Sequence, residues 1–97
     1  MIITIKYSEQ LMKSIDLEKC RIDASKHFIL KYMKKWDWDF HDLREALKNA
    51  YKIEKVGRKK YEAYAEKDGS KKIIFAYYFE LGAIFVITGS EGGKHEK

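Results

Sequence analysis

The hydrophobic period changes once along this chain, and that change limits what it can fold into. From Ser25 to Trp36 apolar residues recur at helical spacing, with Phe28, Ile29, Tyr32, Met33 and Trp36 on one arc at about 100° per residue. After Ala50 the period falls to two: Tyr51, Ile53 and Lys55 alternate against Lys52, Glu54 and Val56. Helical text followed by strand text, without return, describes an α+β domain rather than alternating βαβ units. At 97 residues there is room for one core. The reading is a single α+β domain over residues 1–89, in which an N-terminal strand and two helices precede an antiparallel β-meander, with a flexible tail over residues 90–97.

Local signals place the elements. Met1 to Tyr7 alternates and reads as a short strand, whereas residues 8–23 fit a helix, a strand or a loop equally well. Asp39 and Asp42 have the spacing of a capping box for a second helix running to about Asn49, whose apolar face is Leu43, Ala46, Leu47 and Ala50. Gly57 to Lys60 reads as a basic turn, and Tyr61 to Lys67 as a strand. Asp68-Gly69 is a two-strand turn signal, because both residues accept positive φ. Lys72 to Glu80 and Ala83 to Thr88 complete the meander, and the long run from Ile73 to Phe79 suits the central strand.

Charge is uneven. Residues 20–60 hold twelve Lys or Arg against six Asp or Glu, while both flanks are close to neutral. Such a basic middle attracts polyanions, of which nucleic acid is the commonest in a cell. A solvated lysine-rich surface fits the charge equally well. No apolar run approaches the roughly 18 residues a membrane span needs, so no membrane role and a cytoplasmic location are expected. Cys20 is the only cysteine and reads as a small buried hydrophobe. Cys20, His27, His41 and His95 lack the paired spacing of a zinc site, and neither a metal nor a cofactor is expected.

The chemistry left is that of cations on a helix and a hairpin. His27, Lys31, Lys34 and Lys35 fall on the face opposite the apolar arc, and Arg58, Lys59 and Lys60 sit in the basic turn. Metal-free RNA cleavage needs a base for the 2′-hydroxyl and cations for the phosphate charge. His27, with lysines one turn away, is the candidate for that base. A plain surface histidine, or one capping an amphipathic helix, accounts for the same position. Tyr61, Tyr64, Tyr77 and Tyr78 lie on expected strands, where an exposed ring can stack on an unpaired base; β-propensity alone also accounts for them.

The run from Ser25 to Lys35, followed by Phe40-His41-Asp42-Leu43-Arg44-Glu45-Ala46-Leu47, resembles the opening of small RelE/BrnT-like toxin domains. The stretches Tyr51 to Arg58, Tyr61 to Ala65, Asp68-Gly69 and Ile84 to Thr88 are similar to the three-stranded meander of those domains, so the resemblance covers about residues 22–88. It implies a RelE-like fold and a toxin-like endoribonuclease acting on RNA, free or as ribosome-bound mRNA, with a small antitoxin protein as partner; a homodimer is compatible with it. Carried over, His27, Lys31 and Lys35 occupy the matching helix positions and Arg58 matches a basic residue on the first hairpin; with the stripe, the basic turn and the strand tyrosines, this makes His27, Lys31 and Arg58 the catalytic candidates and Lys34, Lys35, Lys59, Lys60 and Tyr64 the RNA contacts. Lys31 and Lys35 stand where arginines are more usual, which gives up bidentate phosphate geometry. Thr88-Gly89-Ser90 stands where many relatives place Arg or Tyr. The alternative is a non-catalytic RNA-binding or protein-interaction module of the same fold.

Overall fold

The computed structural model describes residue 17 and residues 19–91. The strand expected over Met1 to Tyr7 therefore lies outside the described residues, as do residues 92–97. The first described element is strand β1 (Arg21–Ala24), whose first three residues fall in the stretch 8–23 that the sequence leaves open. Helix α1 spans residues 26–36, made of a π-helical turn (Phe28–Met33) and an α-helical end (Lys34–Trp36). Helix α2 (Phe40–Lys48) leads to β2 (Lys52–Lys55), β3 (Lys60–Glu66), β4 (Ser70–Tyr78), a 3-10 turn (Phe79–Leu81) and β5 (Ala83–Glu91). The strands form one mixed sheet in the order β1-β5-β4-β3-β2. β1 runs parallel to β5, every other pairing is antiparallel, and β4 is central as expected.

The turn chemistry follows the sequence. The Asp39 carboxylate accepts from the Asp42 N–H and the Asp42 carboxylate from the Asp39 N–H, both at 2.9 Å, closing the expected capping box. Asp68 and Gly69 adopt φ of 57° and 101°, which allows β4 to fold straight back on β3.

In α1 the outcome differs from a regular helix. The π turn takes in one residue more than an α turn, so the buried face slips. Phe28, Met33 and Trp36 are buried, whereas Ile29, on the core arc of an ideal projection, is turned out. The slip goes with the way the helix is hooked to the sheet. β4 and β5 pair Ile74 with Thr88 but Phe75 with Val86, a β-bulge that leaves Ile87 without a partner in the register. The Ser25 hydroxyl donates to the Ile87 carbonyl at 2.6 Å and accepts from the Phe28 N–H at 3.0 Å, while the Ser25 N–H donates to the Val86 carbonyl at 2.8 Å.

Both helices cover the sheet face that carries Ile22, Ile84, Val86, Ile73, Phe75, Tyr61, Ala63 and Ile53, the core together with Phe28, Leu43 and Leu47. Burying one such side chain contributes about 1.5–3 kcal/mol. β5 continues to Glu91, so Ser90 and Glu91 belong to the sheet and not to the tail expected from residue 90. Glu91 holds this end down: its carboxylate accepts from the Trp36 indole N–H at 3.0 Å and lies 3.5 Å from Lys35 Nζ. Across the strand pair, the buried Lys71 donates to the Asp68 carbonyl at 2.5 Å and lies 5.3 Å from the Trp36 ring.

These contacts predict acid sensitivity. The Trp36 hydrogen bond, with Lys35 beside it, holds the Glu91 carboxyl below its ordinary 4.5, and the Asp39 N–H holds Asp42 below its ordinary 3.8. The unfolded chain then binds these protons more readily, so the stabilisation is complete above the ordinary values and is lost as pH falls through the lower folded ones. Thermal midpoints should drop below about pH 4.5, and less steeply in the Glu91→Gln/Asp42→Asn double variant. Parallel melting profiles for the two proteins would remove both carboxyls from the acid response.

Candidate nucleic-acid interface

The sheet face turned away from the helices carries, by strand alternation, Lys52 and Glu54 of β2, Lys60, Glu62 and Tyr64 of β3, Lys72, Ile74, Ala76 and Tyr78 of β4, and Ala83 and Phe85 of β5. Its two ends differ. Toward Ser90 the charges are matched: Tyr64 donates to Glu62 at 2.8 Å, Lys72 lies 3.9 Å from Glu62, and Lys52 lies 3.4 Å from Glu54. Lys52 and Lys72 also lie 5.4 and 6.0 Å from the Tyr64 ring. Tyr64 is buried among these groups, and burial, then the bond to Glu62, pushes its hydroxyl pKa up. As a base-stacking platform it is therefore covered, unlike the exposed ring expected of a strand tyrosine at this position.

At the other end cations are in excess. The β2–β3 hairpin presents Arg58, Lys59 and Lys60, all exposed, while Lys55 at the end of β2 is exposed on the opposite parity, that of Ile53 and Tyr61. The Val56 and Gly57 N–H groups both donate to the Lys60 carbonyl, at 2.8 and 3.2 Å, and the Tyr77 N–H donates to the Lys59 carbonyl at 2.9 Å. The loop is thereby closed on itself and tied to β4, which fixes where its side chains start. Lys59 Nζ lies 5.5 Å from the Tyr78 ring and 3.7 Å from Glu80. A backbone hydrogen bond and then Lys59 hold the Glu80 carboxyl below its ordinary value. Beside Tyr78, the side chains of Arg21, Leu81, Ala83 and Phe85 line a shallow depression of about 470 Å³.

The other predicted residues stand on α1. His27, Lys31, Lys34 and Lys35 are all exposed. The His27 ring meets Tyr32 edge-on at 5.7 Å, Lys31 Nζ lies 5.4 Å from that same ring, and Lys35 is drawn to Glu91. The start of α1 is hooked to β5 at Val86 and Ile87, whereas Arg58 lies two to three strand positions away, beyond the level of Lys60. At about 4.8 Å per strand and 3.4 Å per residue, the two backbones are on the order of 15 Å apart. The fold brings Lys59 and Lys60 together with Arg58, and His27 together with Lys31, but does not join the two groups.

Phe85 and Arg21 were not singled out by the sequence, and Tyr78 was only one of four strand tyrosines. One signal was available: Tyr78 and Phe85 fall on the opposite parity from the core positions Phe75, Tyr77 and Val86, so their rings point away from the helices. Among the described residues, no three His, Cys, Asp or Glu side chains are grouped to hold a metal ion, and no helix is long and apolar enough to cross a membrane. Searches against protein-family models, curated proteins and solved structures give no match to this chain.

Proposed function

We propose that this chain is an RNA-binding domain of RelE-like architecture that grips the phosphate backbone with the basic end of its sheet. The order of a strand, two helices and an antiparallel meander supports the architecture. The observation that carries the binding role is the β2–β3 hairpin, where Arg58, Lys59 and Lys60 project from a closed, β4-anchored turn and, among the described residues, only Lys59 is drawn to a carboxylate, that of Glu80. Cations clustered without matching acids favour a polyanion, and a backbone held in place lowers the ordering cost of binding one. Binding is favoured over cleavage because a general base must come within hydrogen-bonding reach of the group it deprotonates. His27 stands on a separate element, on the order of 15 Å from the backbone of the loop that would hold the phosphate.

Fluorescence anisotropy with a labelled RNA oligomer over a salt series tests this. Each phosphate contact on a single strand contributes a slope of about −0.7 in log K against log salt. The Arg58→Ala/Lys59→Ala/Lys60→Ala variant should bind at least roughly 10-fold more weakly and show a slope shallower by about 2. Lys31→Ala/Lys34→Ala should change little. Wild-type protein that binds no RNA at low salt would sink the proposal. Growth arrest on expression, relieved by His27→Ala, would instead restore the nuclease reading.

A further inference from the structure

We infer that the depression beside the basic loop is a subsite for one unpaired nucleobase, which makes single-stranded RNA the preferred ligand; the inference rests on the RNA-binding reading. Four observations meet there. Tyr78 and Phe85 are each 37% exposed and lie on the same sheet face. Tyr78 is paired with Ala83 in the β4–β5 register, which makes Phe85 its diagonal neighbour. Diagonal neighbours stand about 7–8 Å apart with side chains roughly perpendicular to the sheet, a gap of about two stacking distances, so one flat ring can lie between or across them. The floor between the two rings is small, because Ala83, which opposes Tyr78 in the register, lines the depression.

The charge around it completes the match. Lys59 Nζ lies 5.5 Å from the Tyr78 ring, and Lys60 lies in the cross-strand row Lys60, Ala76 and Phe85 on the same face. On the opposite rim Arg21 pairs with Asp23 at 2.8 Å, leaving that side close to neutral. A ligand with a planar aromatic body and an anionic group on one side satisfies the rings and the lysines together, as an unpaired nucleotide does. In a duplex the base faces are already stacked and out of reach, so only backbone contacts would remain. Leu81, 75% exposed at the rim, adds apolar surface that phosphate alone would not use.

The test compares one labelled oligoribonucleotide with its own duplex, at equal salt, by anisotropy. The single strand should bind at least roughly 5-fold more tightly, since one stacked base is worth about 5- to 100-fold. Tyr78→Ala and Phe85→Ala should each remove most of that preference while leaving duplex affinity and the salt slope unchanged, and Tyr78→Phe, which keeps the ring, should retain it. Circular dichroism melts confirm that the variants fold. Equal affinity for both RNAs, untouched by Tyr78→Ala, overturns the base subsite but leaves phosphate binding standing. Failure to bind either RNA overturns the reading beneath it. Concentration-dependent dimerisation abolished by Phe85→Ala, with single-strand preference intact, would reassign the depression to a second copy of the chain.

Discussion

Replacing Phe28 with alanine should lower the stability of this protein by about 3–5 kcal/mol, a large share of the roughly 5–15 kcal/mol that holds a small domain folded. The side chain is fully buried, with Tyr32 at 5.8 Å and Trp36 at 5.9 Å between ring centroids. Its backbone N–H is bound by the Ser25 hydroxyl that also hooks α1 to the bulged carbonyl of Ile87. Truncation leaves a cavity at the joint between helix and sheet, and the anchored Ser25 keeps the helix from sinking to fill it. Urea unfolding would show the loss as a lower midpoint. A loss under about 1 kcal/mol would mean that α1 is not seated on β5 as described.

The second large effect is at Gly89, where the smallest change should cost about 1–3 kcal/mol. A methyl group added there would lie 2.9 Å from the Lys72 carbonyl oxygen, 3.0 Å from Phe28 Cε1 and 3.3 Å from Trp36 Cη2. The aromatic rings of α1 rest directly on the strand at this residue. Two of the three obstacles are side chains, but the Lys72 oxygen is backbone in the central strand and cannot move without disturbing the ladder. Gly89→Ala should therefore destabilise the wild type, and part of the cost should vanish when Phe28 is already alanine. A double-mutant cycle measures that coupling. Strict additivity would show that the rings do not meet the strand at Gly89.

Much of the secondary structure was legible because its causes are local. The capping box of Asp39 and Asp42 spans three residues, Asp68-Gly69 carries its own φ preference, and alternation from Lys52 onward reports strands whatever they pair with. The site was less legible. Lys31 and Arg58 look alike in a charge count, yet one sits on a helix over β5 and the other at the β2–β3 hairpin. Tyr64 looked like a platform, but its cross-strand neighbours Lys52 and Lys72 cover it.

From the order of residues alone came the helix-then-strand plan, the capping and turn chemistry, and the concentration of positive charge in residues 20–60. Contacts between distant residues decided the rest. The pairing of β1 with β5, the bulge that offers Ile87 to Ser25, the seating of Phe28 and Trp36 on Gly89, and the meeting of Tyr78, Phe85 and Lys59 all join positions far apart in the chain. Periodicity reports which face of an element is apolar. Which elements meet, and hence which exposed side chains share a surface, is set by the packing of the whole core.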